Sequence, residues 1–125
     1  MTRALVLVVL CFNLVAQAEA EQRRLTGDEI VAIFSGATLF GKYTDGRPDW
    51  AEESAVTGQL YDVDLNWQIV GTWGTIDDLI CYTYWTTGLQ HCFDVYQEGG
   101  QLFFYEPGTD ELIAYTYRID RDRMT

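Results

Sequence analysis

Carboxylates are the most plentiful side chains with catalytic potential in this chain. Two pairs are adjacent in sequence, Glu52-Glu53 and Asp77-Asp78. Carboxyls that share a proton or flank a glycosidic bond must project from one face, whereas neighbours on a strand project to opposite faces. Neither pair is therefore expected to form an acid–base site, although carboxylates from different strands could still meet.

The segment 62–66 has oxygen-bearing side chains at alternate positions, as the start of an EF-hand calcium loop does. The match then fails, because Trp67 occupies the position that requires glycine and Trp73 that of the bidentate glutamate. We interpret the segment as a turn with outward carboxylates, with a weak cation site of another kind as the alternative. No metal or other cofactor is predicted.

Nucleophilic catalysis also lacks a good candidate. His91 adjoins Cys92, but a catalytic dyad needs a free thiol, and Cys81 is the better partner for Cys92. Ser35 and Ser54 are the two serines, and neither lies in a Gly-x-Ser-x-Gly sequence. We therefore predict that the protein is not an enzyme.

Cys81 and Cys92 are predicted to form a disulfide. The third cysteine, Cys11, lies in the apolar N-terminal run and should be removed with it. Closing a loop of about a dozen residues would stabilise the fold by roughly 3 kcal/mol. A redox or metal pair is the alternative, but the spacing is not Cys-x-x-Cys and one histidine cannot complete a metal site.

Residues 1–20 have the three parts of an export signal. Arg3 gives a positive start, residues 4–15 form an apolar run, and two small-x-small cleavage sites follow. The run is too short to span a bilayer of roughly 30 Å as a helix. We expect cleavage after Ala20, no stable membrane anchor afterwards, and a location in a bacterial periplasm or outside the cell.

The remaining residues, 21–125, suffice for one small domain. Nineteen acidic residues against eight basic ones give the whole chain a formal charge of −11. Such a charge repels phosphate backbones and anionic lipids, so nucleic acid is not an expected partner, whereas a basic protein would be attracted. The alternative is that the charge serves solubility alone.

A capping box marks the start of the one predicted helix in the mature chain. Thr26 is the N-cap, Glu29 follows three residues later, and Leu25 and Ile30 are placed as a hydrophobic staple. Gly36 is placed to end the helix. We predict a helix of about ten residues, with one side packed against a sheet.

From residue 37 onward the hydrophobic period becomes two and turn residues recur every 8 to 12 residues or so. This spacing predicts eight strands, near 37–43, 49–55, 59–63, 67–73, 79–85, 91–97, 101–106 and 112–119. The fold class is therefore mainly β, an N-terminal helix followed by a small antiparallel eight-stranded meander barrel. A sandwich is the alternative.

Alternation along the strands predicts which side chains face inward. The predicted inward sets are Trp67, Ile69, Gly71 and Trp73 on the fourth strand, and Ile113, Tyr115, Tyr117 and Ile119 on the last.

Aromatic residues are abundant for so small a domain, with four Trp, eight Tyr and six Phe. They either fill the core or are partly exposed to a ligand or partner. As ligand-binding residues we predict Trp67, Trp73, Trp85 and Tyr84. The predicted function is a non-enzymatic binding module for a small apolar or aromatic molecule. The alternative is a protein-interaction or inhibitor domain of the cell envelope that acts on a basic partner.

Short motifs along the mature chain carry a family resemblance. They are Leu25–Ile30, Gly36-Ala37-Thr38, Gly41, Gly71-Thr72-Trp73, Leu79–Tyr82 and Cys92–Tyr96. In these motifs the chain resembles a group of small exported bacterial proteins of unknown function. The Gly-x-Trp motif and the strand spacing are also similar to lipocalin and avidin barrels, although lipocalins have that motif on the first strand. The resemblance implies compartment and a barrel fold, and it transfers no ligand-binding residues.

Overall fold

The computed structural model describes residues 21–121, and the predicted export signal lies outside them. The elements of the described part, in chain order, are β1 (Arg23–Arg24), α1 (Gly27–Phe34), β2 (Ala37–Tyr43), β3 (Trp50–Ser54), β4 (Gln59–Asp62), β5 (Gln68–Ile76), β6 (Leu79–Tyr84), β7 (Gln90–Glu98), β8 (Gln101–Tyr105) and β9 (Leu112–Asp120).

The sheet is a closed barrel of eight antiparallel strands. Each strand from β2 to β9 pairs with the next along the chain, and β9 pairs back with β2. The predicted meander barrel is therefore confirmed, and closure leaves the barrel without a free edge. The sequence did not predict the short β1. It pairs with Tyr96 and Gln97 of β7, beyond the part of β7 that pairs with β6.

The strand bounds agree with the predicted ones to within one residue at every end but one. The exception is β5, which continues to Ile76. This strand also begins one residue later than predicted, at Gln68. The reason is local: Trp67 has a φ of 60° in the left-handed region and belongs to the preceding turn.

The predicted capping box is present at the start of α1. The Thr26 hydroxyl accepts from the Glu29 amide at 3.2 Å, and the Glu29 carboxylate accepts from the Thr26 amide at 2.9 Å. The helix ends at Phe34, and Gly36 turns the chain into β2 with a φ of 78°.

Helix α1 closes one end of the barrel, which we call the closed end. Ile30 and Phe34 are fully buried, and the Phe34 ring stacks on Trp73 at 6.3 Å and meets the edge of Phe104 at 6.1 Å. The Asp78 carboxylate accepts from the Gly27 amide at 2.7 Å and so ties the helix start to the β5–β6 turn. The opposite end, the open end, carries the connections 44–49, 63–67, 85–89 and 106–111.

The predicted inward face of β9 is right near its ends, where Ile113 and Ile119 pack against the core, and wrong in its middle. Ala114 and Thr116 are buried inside the barrel, whereas Tyr117 is 50% exposed. A register shift in the β2–β9 pairing, between residues 40 and 41, breaks the simple alternation. Small side chains also fit here because Trp50 and Phe104 already occupy the interior.

The predicted inward face of β5 is right only for its middle. Gly71 is buried and Trp73 packs against the core, but Ile69 is 36% exposed. The β4–β5 pairing shifts register so that Gly71 lies opposite Leu60 while Ile69 lies opposite Tyr61. One residue of β5 between Ile69 and Gly71 therefore has no partner on β4, and this bulge interrupts the alternation of inward and outward side chains.

The predicted disulfide is confirmed. Cys81 and Cys92 are directly paired neighbours on β6 and β7, with sulfur atoms 2.05 Å apart. A disulfide is compatible with an oxidising compartment. Within residues 21–121 no helix has the length and apolar character needed to cross a membrane.

Candidate functional site

A cavity of about 320 Å³ lies inside the barrel at its open end. Its lining combines aromatic and apolar side chains with a few polar ones: Tyr43, Arg47, Trp50, Glu52, Tyr82, Tyr84, Thr87, Leu89, His91, Phe93, Phe104, Ile113 and Ala114. Concave sites of roughly this size, mostly apolar with a few convergent polar groups, hold small molecules in proteins.

Six rings form a continuous wall around the cavity, which we call the aromatic belt. Its members are Tyr43, Trp50, Phe104, Phe93, Tyr82 and Tyr84. Successive ring centroids lie 5.9 to 6.3 Å apart, at edge-to-face, tilted or stacked angles. Such spacings are typical of favourable ring contacts, so the belt is a packed wall rather than a set of isolated side chains.

Gly41 determines how Trp50 sits in the belt. The two residues are direct neighbours on β2 and β3. A Cβ on Gly41 would collide with the Trp50 indole and would lie 2.7 Å from the Tyr115 carbonyl oxygen. The absence of a side chain at 41 therefore lets the indole lie against the wall of the barrel and leaves the cavity open.

Glu52 places one carboxyl on the cavity wall. Glu52 lies two residues after Trp50 on β3, so both side chains project from the same face of the strand. Its Oε2 accepts a hydrogen bond from the Tyr84 hydroxyl at 2.6 Å. Burial raises the pKa of the Glu52 carboxyl to about 7, against the opposing effect of the Tyr84 hydrogen bond and with a smaller contribution from the charge of Asp62. Near neutral pH this group is therefore present in both protonation states.

The three tyrosines of the belt are neutral hydrogen-bonding groups. Burial, and then the charge of Glu52, raise the pKa values of Tyr43, Tyr82 and Tyr84 above that of free tyrosine. Their hydroxyls consequently remain protonated across the physiological pH range.

Two cationic or potentially cationic groups stand at the rim, and each already has an acidic neighbour. The Arg47 guanidinium donates to the Asp45 carboxylate at 2.8 Å and stacks over the Tyr43 ring at 3.9 Å. The His91 ring stacks on Phe93 at 4.5 Å, with its Nε2 3.5 Å from the Glu106 carboxylate.

The other carboxylates that the sequence singled out have structural roles. Asp62 accepts from the backbone amides of Asp64 and Leu65, at 2.9 and 3.3 Å, which is an Asx turn. Asp78 caps α1. Glu53 is buried on the opposite face of β3 from Glu52. In the described ranges, no three metal-binding side chains form a group that could hold an ion.

Of the four predicted ligand-binding residues, the structure places Tyr84 on the cavity. Trp73 lies nearer the closed end, where its indole N–H donates to the Ala55 carbonyl at 2.7 Å. Trp85 follows β6 and is 59% exposed, and Trp67 lies in the β4–β5 turn. The four side chains are therefore not brought together at one site.

Sequence reasoning missed Glu52 and Trp50 as site residues. A usable signal was present, because both fall on one face of the predicted strand 49–55, and a lone carboxylate in step with an indole is unusual for a buried face. The Tyr82 and Tyr84 pair on one face of β6 was a second signal.

No protein-family model, no curated protein and no solved structure matches this chain. The resemblance to small exported bacterial proteins and to lipocalin and avidin barrels therefore stays a prediction.

Proposed function

We propose that the protein is a non-enzymatic binding module that holds one small aromatic or apolar molecule in the cavity at the open end of the barrel. The observation that carries this proposal is the belt-lined cavity of about 320 Å³. A barrel of eight strands is just wide enough to be filled by its own side chains or to hold one small ligand. Helix α1 closes the far end, so entry is through the open end.

Export to a bacterial periplasm or to the cell exterior belongs to the same proposal. The signal-like residues 1–20 and the disulfide support it. In such a place the protein would capture its ligand outside the cytoplasm.

Fluorescence titration with the neutral probe N-phenyl-naphthylamine tests the binding function. The probe should saturate at one site per protein and quench Trp50. Ala114→Phe adds a ring inside the cavity and should abolish binding, while Val56→Phe, at a 65% exposed turn residue of the closed end, should not. Near-UV circular dichroism checks that both variants are folded. Equal binding by all three proteins would rule out the cavity as the site.

A second candidate is a protein-interaction or inhibitor domain for a basic partner. Trp85 and Leu89, 59% and 71% exposed, flank the β6–β7 turn beside the cavity. Exposed aromatic and apolar residues are typical of contact sites, and the chain's formal charge of −11 favours a basic partner. In a pull-down from envelope extract at low salt, wild type should recover a basic partner and Trp85→Ser should not. Recovery of no partner by wild type would count against this function.

A further inference from the structure

Among the residues that the structure describes, the Glu52 carboxyl has no cationic partner. Its described hydrogen bond comes from the neutral Tyr84 hydroxyl, and no ion pair within residues 21–121 includes it. An ionised carboxylate removed from water is stable only with compensating charge or hydrogen bonds. The site as it stands leaves the negative charge of Glu52 unbalanced.

The protein's own cations do not meet this need. Arg47 lines the cavity but pairs with Asp45 at the rim, and Lys42 pairs with Asp49 at 3.0 Å. An acidic neighbour makes the imbalance larger, because Asp62 lies directly opposite Glu52 on β4. Of the other titratable groups of the wall, His91 lies beside a different carboxylate, with its Nε2 3.5 Å from Glu106, and Tyr43, Tyr82 and Tyr84 are uncharged.

The surroundings of Glu52 favour a cation in two further ways. The aromatic belt lines the same cavity, and the quadrupoles of aromatic rings attract ammonium groups. The chain's formal charge of −11 lowers the electrostatic energy of a cation that approaches the open end. The carboxylate, the aromatic rings and the net charge therefore all favour the binding of a cation in the cavity.

We infer that the ligand is a small organic amine whose ammonium group pairs with Glu52 while its apolar part lies against the aromatic belt. This inference rests on the proposed binding function and narrows the ligand to one chemical class. The ammonium completes the site by donating to the free lone pairs of the Glu52 carboxylate, and Tyr84 holds that carboxylate in place.

A matched pair of probes separates this inference from the binding function itself. Phenethylamine and phenethyl alcohol have the same aromatic part and differ in a cationic or neutral end. Near pH 8 the amine is protonated and Glu52 is mainly ionised. Calorimetric titration of wild type should show the amine binding at least about tenfold more tightly than the alcohol, as a charge-assisted hydrogen bond provides.

Two isosteric variants identify the carboxyl responsible. Glu52→Gln should bring the two affinities to within about twofold of each other. Glu98→Gln removes the same charge at the β7–β8 turn of the closed end, and it should keep the preference for the amine. Equal affinities in wild type would overturn the inference and leave the binding function standing. If both probes and the neutral naphthylamine fail to bind, both are overturned.

Proton release gives a readout that loss of folding cannot imitate. Pairing with an ammonium favours the ionised form of Glu52, so amine binding near pH 6 should expel a proton. The observed enthalpy in two buffers of different ionisation enthalpy should therefore differ for wild type and agree for Glu52→Gln. Wild-type enthalpies that agree between the buffers would contradict the inference.

Discussion

At the scale of single residues, Glu52 makes the stability of the fold depend on pH. Because its pKa is about 7 when folded and near 4.5 when free, the folded protein binds the proton more tightly than the unfolded chain. The sign follows directly: the free energy of unfolding falls as pH rises from about 4.5 to about 7, and then levels off. The carboxyl therefore costs stability at neutral and alkaline pH.

Glu52→Gln should remove that cost. Near pH 8 the variant is expected to be more stable than wild type by roughly 3 kcal/mol, since each pH unit in which one state alone is ionised contributes about 1.4 kcal/mol. Near pH 4 the two proteins should be equally stable. Urea unfolding at a series of pH values measures both, with Glu98→Gln as the control. Parallel stability curves for wild type and Glu52→Gln would show that Glu52 is not perturbed.

Gly41 supports the site through Trp50 rather than through contact with a ligand. Gly41→Ala should force the indole away from β2 and towards the cavity, lowering the free energy of unfolding by about 1–3 kcal/mol and weakening probe binding. Gly74→Ala is the matched control, because a Cβ at that β5 position meets nothing within 4 Å. Urea unfolding and probe titration compare the two, and similar effects would contradict the role given to Gly41.

At the scale of elements, the helix closes the barrel through one ring. Phe34→Ala should lower the free energy of unfolding by about 3–5 kcal/mol, because Phe34 is fully buried between Trp73 and Phe104 and its loss leaves a void. Val31→Ala, on the same helix but 44% exposed, should cost far less. Denaturant unfolding gives both values, and equal costs would mean that α1 does not seal this end.

The elements were predictable because their signals are local. The capping box at Thr26 and the turn residues between strands need only a few neighbouring residues to act, and the structure has them as predicted. The register shifts at residues 40–41 and 60–61 are different in kind. They depend on which large side chains already occupy the interior, so the inward face of β9 could not be read from alternation alone.

The site was predictable in outline but not in membership. Aromatic abundance predicted either a ring-filled core or rings partly exposed to a ligand or partner, and Tyr84, which lines the cavity, was among the expected residues. The position of a tryptophan along the barrel axis decides its surroundings. Trp50 lines the cavity, Trp73 packs nearer the closed end, and Trp85 is exposed to solvent. That position follows from register and closure, which are properties of the whole sheet.

At the scale of the whole molecule, both the disulfide and the strand pairing of the closed sheet connect the strands that line the cavity. Cys81 and Cys92 join the strands that carry four of its lining side chains, Tyr82, Tyr84, His91 and Phe93. Yet these strands are also paired through backbone hydrogen bonds to each other and to both neighbours. The disulfide therefore acts mainly on the unfolded chain, whose freedom it restricts.

The double variant Cys81→Ala/Cys92→Ala separates these two contributions. Its free energy of unfolding should be lower than that of wild type by about 3 kcal/mol, as expected for opening a loop of about a dozen residues. Below its unfolding transition it should bind phenethylamine within about twofold of wild type, because the ladder preserves the cavity walls. Urea unfolding and calorimetry measure the two effects on one preparation. Lost binding in a variant that is still folded would mean instead that the disulfide itself shapes the cavity.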